Sequence, residues 1–174
     1  MGEAVLEAFA RSDRFNFIFA PHVMMFERKW TVTISPPAIK HMRPPGARYK
    51  ELPNMLIDLG SKASTDMTYT NMADVYVGDI SSQVYEFLLH PRPCLFLDAH
   101  STDWASDPDY AHWHAGPVVG RGADIVEAVE YAISSHAEYL PVQKKMLADT
   151  FSLTDQSSSV RAAKAIATFL SGSA

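Results

Sequence analysis

The chain has 174 residues, 47% of them hydrophobic, and a formal charge of −5 from 15 Lys and Arg against 20 Asp and Glu. That is apolar content for one compact domain, and the mild acidity argues against a surface built for nucleic acid. A single cysteine, Cys94, excludes an internal disulfide and fits a reducing compartment, and no run approaches the ~20 apolar residues that span a bilayer.

The opening "MGEAVLEAFARSD" carries acids where a secretory leader needs a basic start, so it reads as an ordinary helix. Leu6 stands where a myristoylation signal on Gly2 needs Ser or Thr. These features together predict a soluble cytoplasmic domain. In "RFNFIFAPH", Phe15, Phe17, Ile18 and Phe19 make a nearly continuous apolar run, as in a strand covered on both faces, ending at Pro21-His22. Trp30, Val32 and Ile34 alternate with polar residues and suggest a second short strand. Residues 36–53 hold five prolines and one glycine, with Lys40, His41, Arg43, Arg48 and Lys50; they read as a long ordered loop.

"NMLIDLG" is the next strand, Ser64 or Thr65 can cap a short helix through Met72, and "DVYVGD" is another strand. From Ser81 onward, Val84, Phe87 and Leu88 fall at helical spacing, until Pro91 and Pro93 stop the helix before "CLFLD". Cys94 in that run reads as a small buried hydrophobe. A loop rich in His, Asp and Trp follows, then "GPVVG". Ile125, Val129 and Ala132/Ile133 share one face of an amphipathic helix, a further helix covers Val142 to Phe151, and the serines at 157–159 can cap a last one with Val160, Ala163, Ile166, Ala167 and Leu170 on one side. No repeat or internal boundary interrupts the chain, so residues 1–174 are read as a single domain.

Strands alternating with helices predict right-handed crossovers and an open parallel sheet: an α/β, Rossmann-like three-layer domain. Ligands bind such sheets outside the carboxyl ends of the strands, where His22 and the turn Asp79–Ser82 would both lie. A helix N-terminus there presents free N–H groups and partial positive charge. Ser81 and Ser82 add hydroxyls, and Gly78 permits close approach, which together form a phosphate cradle. Glu86, one turn beyond Ser82, could accept two hydroxyls of a ribose or glycerol. Ordinary capping by Asp79 or Ser81, with Glu86 solvated, is the plainer reading.

The segment "ADVYVGDISSQVYEFLLHPRPCLFLD" resembles the signature of the CDP-glycerol glycerophosphotransferases, which build teichoic acid polymers. Asp74, Asp79, Ser81, Ser82, Glu86 and Pro93 match its order, with Glu86 where that family usually has Asp. In the wider class of GT-B glycosyltransferases and UDP-N-acetylglucosamine 2-epimerases, a glutamate near this position holds the nucleotide ribose. "FIFAPH" is similar to the strand whose histidine lies beside the donor pyrophosphate, a place His22 takes. "TDQSSSVRAAKAIATFL" is similar to the closing segment, with Gln156 in place of the usual Gly.

The resemblance implies one half of a GT-B fold, the C-terminal, donor-binding half, with the acceptor-side base in an N-terminal half supplied by the same or a partner chain. It implies a CDP- or UDP-linked sugar or polyol as donor, a cell-surface polymer or glycan as acceptor, no cofactor, and little activity for the half alone. Ser81, Ser82 and the helix N-terminus would neutralise the leaving diphosphate, His22 would stabilise or protonate it, Glu86 would hold hydroxyls and Asp79 would brace the turn. A non-catalytic nucleotide-binding or protein-interaction domain is the alternative from another class; a 2-epimerase half is a third, less favoured reading, since that chemistry needs acids this chain does not clearly supply.

Three other signals carry less. His100, His112 and His114 among Asp98, Asp103, Asp107 and Asp109 suggest a metal, but zinc needs three or four converging ligands; Trp104 and Trp113 interleave with them as in a folded surface loop. "GDISS" lacks the second glycine of a nucleophile elbow. The basic residues of the Pro-rich segment could meet a polyanionic acceptor or an anionic membrane surface, which would make the association peripheral, at the inner face of the membrane; a solvated loop is the simpler reading.

Overall fold

The computed structural model describes residues 1–21, 30–34, 37–41 and 46–172. Helix α1 (Gly2–Ala10) leads to strand β1 (Phe17–Phe19), and β2 (Trp30–Ile34) and β3 (Pro37–His41) follow. Then come β4 (Met55–Ile57), α2 (Thr68–Met72), β5 (Tyr76–Gly78), α3 (Gln83–Phe87), β6 (Cys94–Leu97) and β7 (Val118–Val119), and last the helices α4 (Ile125–Ser134), α5 (His136–Thr150) and α6 (Ser158–Leu170). Short 3-10 segments cover Ala47–Tyr49, Lys62–Ser64 and Pro108–Ala115.

Strand β1 pairs in parallel with β4, from Phe17 opposite Met55 to Phe19 opposite Ile57. Strand β6 pairs in parallel with β5 on one side and β7 on the other. Parallel neighbours, with α3 crossing from β5 to β6 and the 3-10 segment Pro108–Ala115 from β6 to β7, make this a Rossmann-like α/β domain, as the alternation predicts. The apolar run of β6 shows why: Cys94 and Phe96 face one core with Val84, Phe87, Leu88 and Trp113, while Leu95 faces the other with Val5, Leu6, Phe9 and Val129. A strand covered on both faces has no polar side to alternate with. Strand β1, expected to be equally covered, is only half-buried along its length.

Four expectations shift. Residues 36–53 are not one loop: Pro37–His41 pairs antiparallel with Trp30–Ile34, and Ala47–Tyr49 is a 3-10 turn. Proline is tolerated as the first residue of an edge strand, which is where Pro37 sits. The segment before β5 divides into a 3-10 turn capped by Ser61, whose hydroxyl accepts the Ala63 N–H at 3.2 Å, and a separate α2. Helix α5 begins at His136 rather than Val142 and carries Pro141 inside it; Ala137 is exposed, so water can take the carbonyl that Pro141 leaves unbonded. On α4, Ala132 is buried but Ile133 is 43% exposed, so the buried face turns through Ala128 and Ala132. Asp124 caps that helix, accepting the N–H groups of Val126 at 3.0 Å and Glu127 at 3.1 Å.

Helix α6 forms where the serines and apolar spacing predict, with Ser157 as its N-cap residue. The Ser157 hydroxyl pairs with Ser159 Oγ instead of a backbone amide. None of its residues is buried, and Phe169 and Leu170 are 85% and 76% exposed. Among the described residues no helix is long and apolar enough to cross a membrane.

Candidate functional site

Strand β5 ends at Gly78 and α3 begins at Gln83, two residues later than the spacing predicts. Asp79–Ser82 is therefore a four-residue turn leaving the carboxyl end of a parallel strand. Because α3 has only five residues, its dipole is slight, and the donors of the site are those of the turn. The amides of Ile80, Ser81 and Ser82 donate to no protein group among the described residues. Consecutive free N–H groups in a turn form an anion-binding concavity. Asp79, Ile80 and Ser82 are exposed and Ser81 is half-buried.

The serines divide the work. Ser81 Oγ accepts the Gln83 N–H at 3.2 Å, so the capping predicted for this position is real and local. Ser81 also reaches the Tyr76 phenol, whose pKa burial pushes up to about 12. Ser82 makes no side-chain cap bond and stays open to solvent. Gly78 serves packing: a Cβ there would overlap the Tyr76 phenol, so the glycine leaves room for that ring beside the turn. Val84, Phe87 and Leu88 are buried, which sets Glu86 on the outer side of α3. Glu86 is exposed and forms no ion pair among the described residues. His22 lies outside the described residues.

Two residues of the His/Trp segment belong to this site although the sequence reading set them on the surface. Trp113 is 2% exposed and His112 is 5% exposed. Trp113 donates from Nε1 to the Asp79 carbonyl at 3.4 Å. The His112 ring packs edge-on to Phe96 at 5.8 Å and near Tyr85 at 6.3 Å, under the turn. Burial lowers its pKa, and the nearby Asp79 carbonyl and carboxylate act in the opposite direction. The turn is thus braced through the main chain of Asp79, and the Asp79 carboxylate makes no hydrogen bond among the described residues. The spacing Tyr110, Trp113, Ala115 ahead of Gly116 and Pro117 was the available signal: Tyr110 meets Trp113 edge-on at 4.8 Å, and Gly116 has no room for a Cβ against the Cys94 carbonyl. No group of three or more His, Cys, Asp or Glu side chains among the described residues is placed to hold a metal ion.

A groove of about 610 Å³ lies elsewhere, between α1 and residues 120–126. Its cations are engaged: Arg11 with Glu7, Arg14 with Glu130, and Arg121 with the Ala99 carbonyl at 2.7 Å. It shares no residue with the turn, and chemistry favours the turn over the groove.

Fold and turn together define a Rossmann-like α/β domain with an amide-lined turn at the carboxyl end of a strand. The family model described as CDP-Glycerol:Poly(glycerophosphate) glycerophosphotransferase matches residues 37–168, well over half of the chain, and the chain belongs to that family of transferases. No curated protein and no solved structure matches it. The matched span contains Asp74, Gly78, Asp79, Ser81, Ser82, Glu86 and Pro93; His22 falls before it.

Proposed function

We propose that this chain is the donor-binding half of a GT-B-type glycerophosphotransferase or glycosyltransferase, taking a CDP- or UDP-linked polyol or sugar. The observation that carries the reading is the set of unclaimed amides at Ile80, Ser81 and Ser82, in a turn whose Ile80 and Ser82 are exposed, inside the family match. Transfer of glycerophosphate forms a bond from an acceptor oxygen to the glycerol-bearing phosphorus and breaks that phosphorus's bond to the bridging oxygen. The bridging oxygen leaves on the nucleotide with the electron pair. The turn's N–H groups and the Ser82 hydroxyl would receive that developing charge without reorganising. Glu86 would hold hydroxyls of ribose or glycerol, and His22 would stabilise or protonate the leaving phosphate.

The turn is an open surface, which suits a donor site closed by a second half. The uncovered apolar residues of α6, Val160, Ile166, Phe169 and Leu170, also suit a chain that works against other polypeptide. The same exposed face favours the alternative reading of a protein-interaction domain, and a binding and transfer experiment separates the two. The isolated chain should bind CDP or UDP weakly, near millimolar or about −4 kcal/mol, and transfer nothing; addition of an N-terminal half should restore turnover, because orientation of donor against acceptor supplies much of the rate. Absence of nucleotide binding with and without that half would leave the interaction domain standing.

A further inference from the structure

The sheet edge that carries the turn continues past it. Strand β6 lies between β5 and β7 in one parallel sheet, so three loops leave the carboxyl edge side by side: Asp79–Ser82 after β5, residues 98–102 after β6 and residues 120–124 after β7. Neighbouring strands in such a sheet stand about 4.8 Å apart. The loop after β6 is tightly held. Asp98 is buried and accepts the amides of His100 and Thr102, each at 2.9 Å, and Ser101 between them is fixed at φ 56°, a conformation that a serine keeps only where its surroundings impose it. The loop after β7 is a turn in which the Ala123 N–H donates to the Gly120 carbonyl at 3.4 Å, with Gly122 at φ 88° in the third position. Arg121 is second in that turn and reaches back along the edge: its Nε donates to the Ala99 carbonyl at 2.7 Å. The side chain therefore runs from the exit of β7 to the exit of β6, in the direction of the Asp79–Ser82 turn.

That bond uses Nε alone. Among the described residues the Nη groups of Arg121 donate to no protein group and no carboxylate pairs with it. The other described arginines are committed. Arg11 pairs with Glu7, Arg14 with Glu130 and Arg48 with Glu3 and Glu7. Arg92 spreads over several carbonyls, and both Nη groups of Arg161 reach Ser152. The acids nearest Arg121 and Ala99 in sequence act elsewhere, Asp98 on its own loop and Asp124 on the amides of Val126 and Glu127. Asp124 thereby occupies the N-terminus of α4, which leaves the guanidinium as the group of this loop open to an anion. An arginine anchored through Nε holds its two Nη groups as a pre-set fork, which matches two oxygens of a phosphate.

We infer that Arg121 is a second phosphate contact of the candidate site, taking one phosphate of a diphosphate while the amides of the Asp79–Ser82 turn take the other. A strand spacing separates the exits of β5 and β6, so two linked phosphates lying along the strand ends meet both groups where a single phosphate fills one. This deepens the donor-site reading and rests on it for the nucleotide, though not for the anion. Arg121 is exposed, so its substitution leaves the core intact.

Pyrophosphate and orthophosphate, titrated into the ¹⁵N-labelled full chain, test this without a nucleotide. Pyrophosphate should shift the Arg121 Nε–H and the backbone amides of Ile80, Ser81 and Ser82 along one binding curve, and bind about tenfold more tightly than orthophosphate. Shifts at the turn with Arg121 unmoved overturn the inference and leave the donor site standing; shifts at Arg121 alone, or at neither, overturn both. Arg121→Gln should weaken pyrophosphate about tenfold, the loss of a hydrogen bond to a charged group, and remove its advantage over orthophosphate. Arg121→Lys keeps the charge but has no Nε to anchor, so it should bind more like the Gln variant; affinity equal to the unaltered chain overturns the anchored fork. Arg11→Gln removes the same charge from the pair with Glu7 and should change nothing, and an equal loss there overturns the assignment as an effect of net charge. CDP then separates the two readings. This pattern with pyrophosphate but no binding of CDP removes the nucleotide donor and leaves the role of Arg121 intact.

Discussion

Arg92 lies over the Phe87 ring, 3.9 Å from guanidinium carbon to centroid, and donates to the Phe87 carbonyl at 2.8 Å. The same guanidinium reaches the carbonyls of Thr70 at 2.8 Å, Asn71 at 3.3 Å and Ala73, and its Nε donates to the His90 carbonyl at 3.0 Å. One planar cation therefore closes the C-terminal ends of both α2 and α3, which are too short to bond all their own carbonyls. Because the Asp79–Ser82 turn leads directly into α3, this clamp supports the candidate site from behind.

Arg92→Met should keep the stem's packing and orphan several partly buried carbonyls at once. We expect a loss of about 2–4 kcal/mol, more than one neutral hydrogen bond and typical of a broken network. Urea unfolding monitored by circular dichroism should show a lower midpoint with an unchanged slope. A loss within ~0.5 kcal/mol would place these carbonyls in water and remove the clamp.

Glu86→Ala addresses ligand binding without touching the core. Glu86 is exposed and forms no ion pair among the described residues, so thermal stability should hardly change. Nucleotide affinity should fall by about 1.5–3 kcal/mol, the range for a hydrogen bond to a charged acceptor. Calorimetry against CDP and UDP reads both the base preference and this difference, and an unchanged affinity would make Glu86 a solvated surface acid.

Acid sensitivity should trace to Asp58. At the end of β4 its carboxylate accepts from the Ser61 hydroxyl, from Tyr69 at 2.6 Å and from the amides of Ser61 at 2.8 Å and Gly60 at 3.0 Å. These bonds, the Ser61 and Tyr69 hydroxyls foremost, hold its pKa down at about 2 against an ordinary 3.8. The folded value lies below the unfolded one, so the contribution is complete above about pH 4 and is lost as pH falls toward 2. Melting temperatures at pH 5, 3 and 2 should drop across that window, and Asp58→Asn should flatten the drop; an equal slope in the variant would assign the acid loss to other carboxylates.

Cys94 should behave as a closed thiol. It is 1% exposed, and burial pushes its pKa up to about 12 despite the neighbouring Arg92 charge. Ellman's reagent at pH 8 should find almost no reaction in the native chain and one equivalent after denaturation. Rapid labelling of native protein would show that β6 opens locally.

Much of this was legible locally. The apolar run "CLFL", the spacing of Val84, Phe87 and Leu88, and the order of Asp74, Asp79, Ser81, Ser82 and Glu86 are short-range patterns. Periodicity and spacing record which side of a strand or helix must leave water. On these patterns rest the strand–turn–helix–strand reading, the Rossmann-like class and the family, which the match over residues 37–168 shows. Cys94 as a buried hydrophobe follows from the same run.

What the tertiary structure decided was which distant groups answer one another. Gln143, fully buried on α5, donates to the Arg92 carbonyl at 2.9 Å and the Ala115 carbonyl at 2.7 Å, groups 51 and 28 residues away. No local pattern marks a glutamine for that place. His112 and Trp113 looked like loop residues because polar neighbours surround them in sequence, yet they close the floor beneath Asp79, 34 residues earlier for Trp113. The helix through Pro141 and the β2–β3 pairing that begins at Pro37 also depend on surroundings, since solvent or an edge position removes the penalty proline otherwise brings. Short-range sequence determines what each segment can bury; only the packed chain determines which carbonyl or imidazole it finds there, because those partners are brought together by folding and not by spacing.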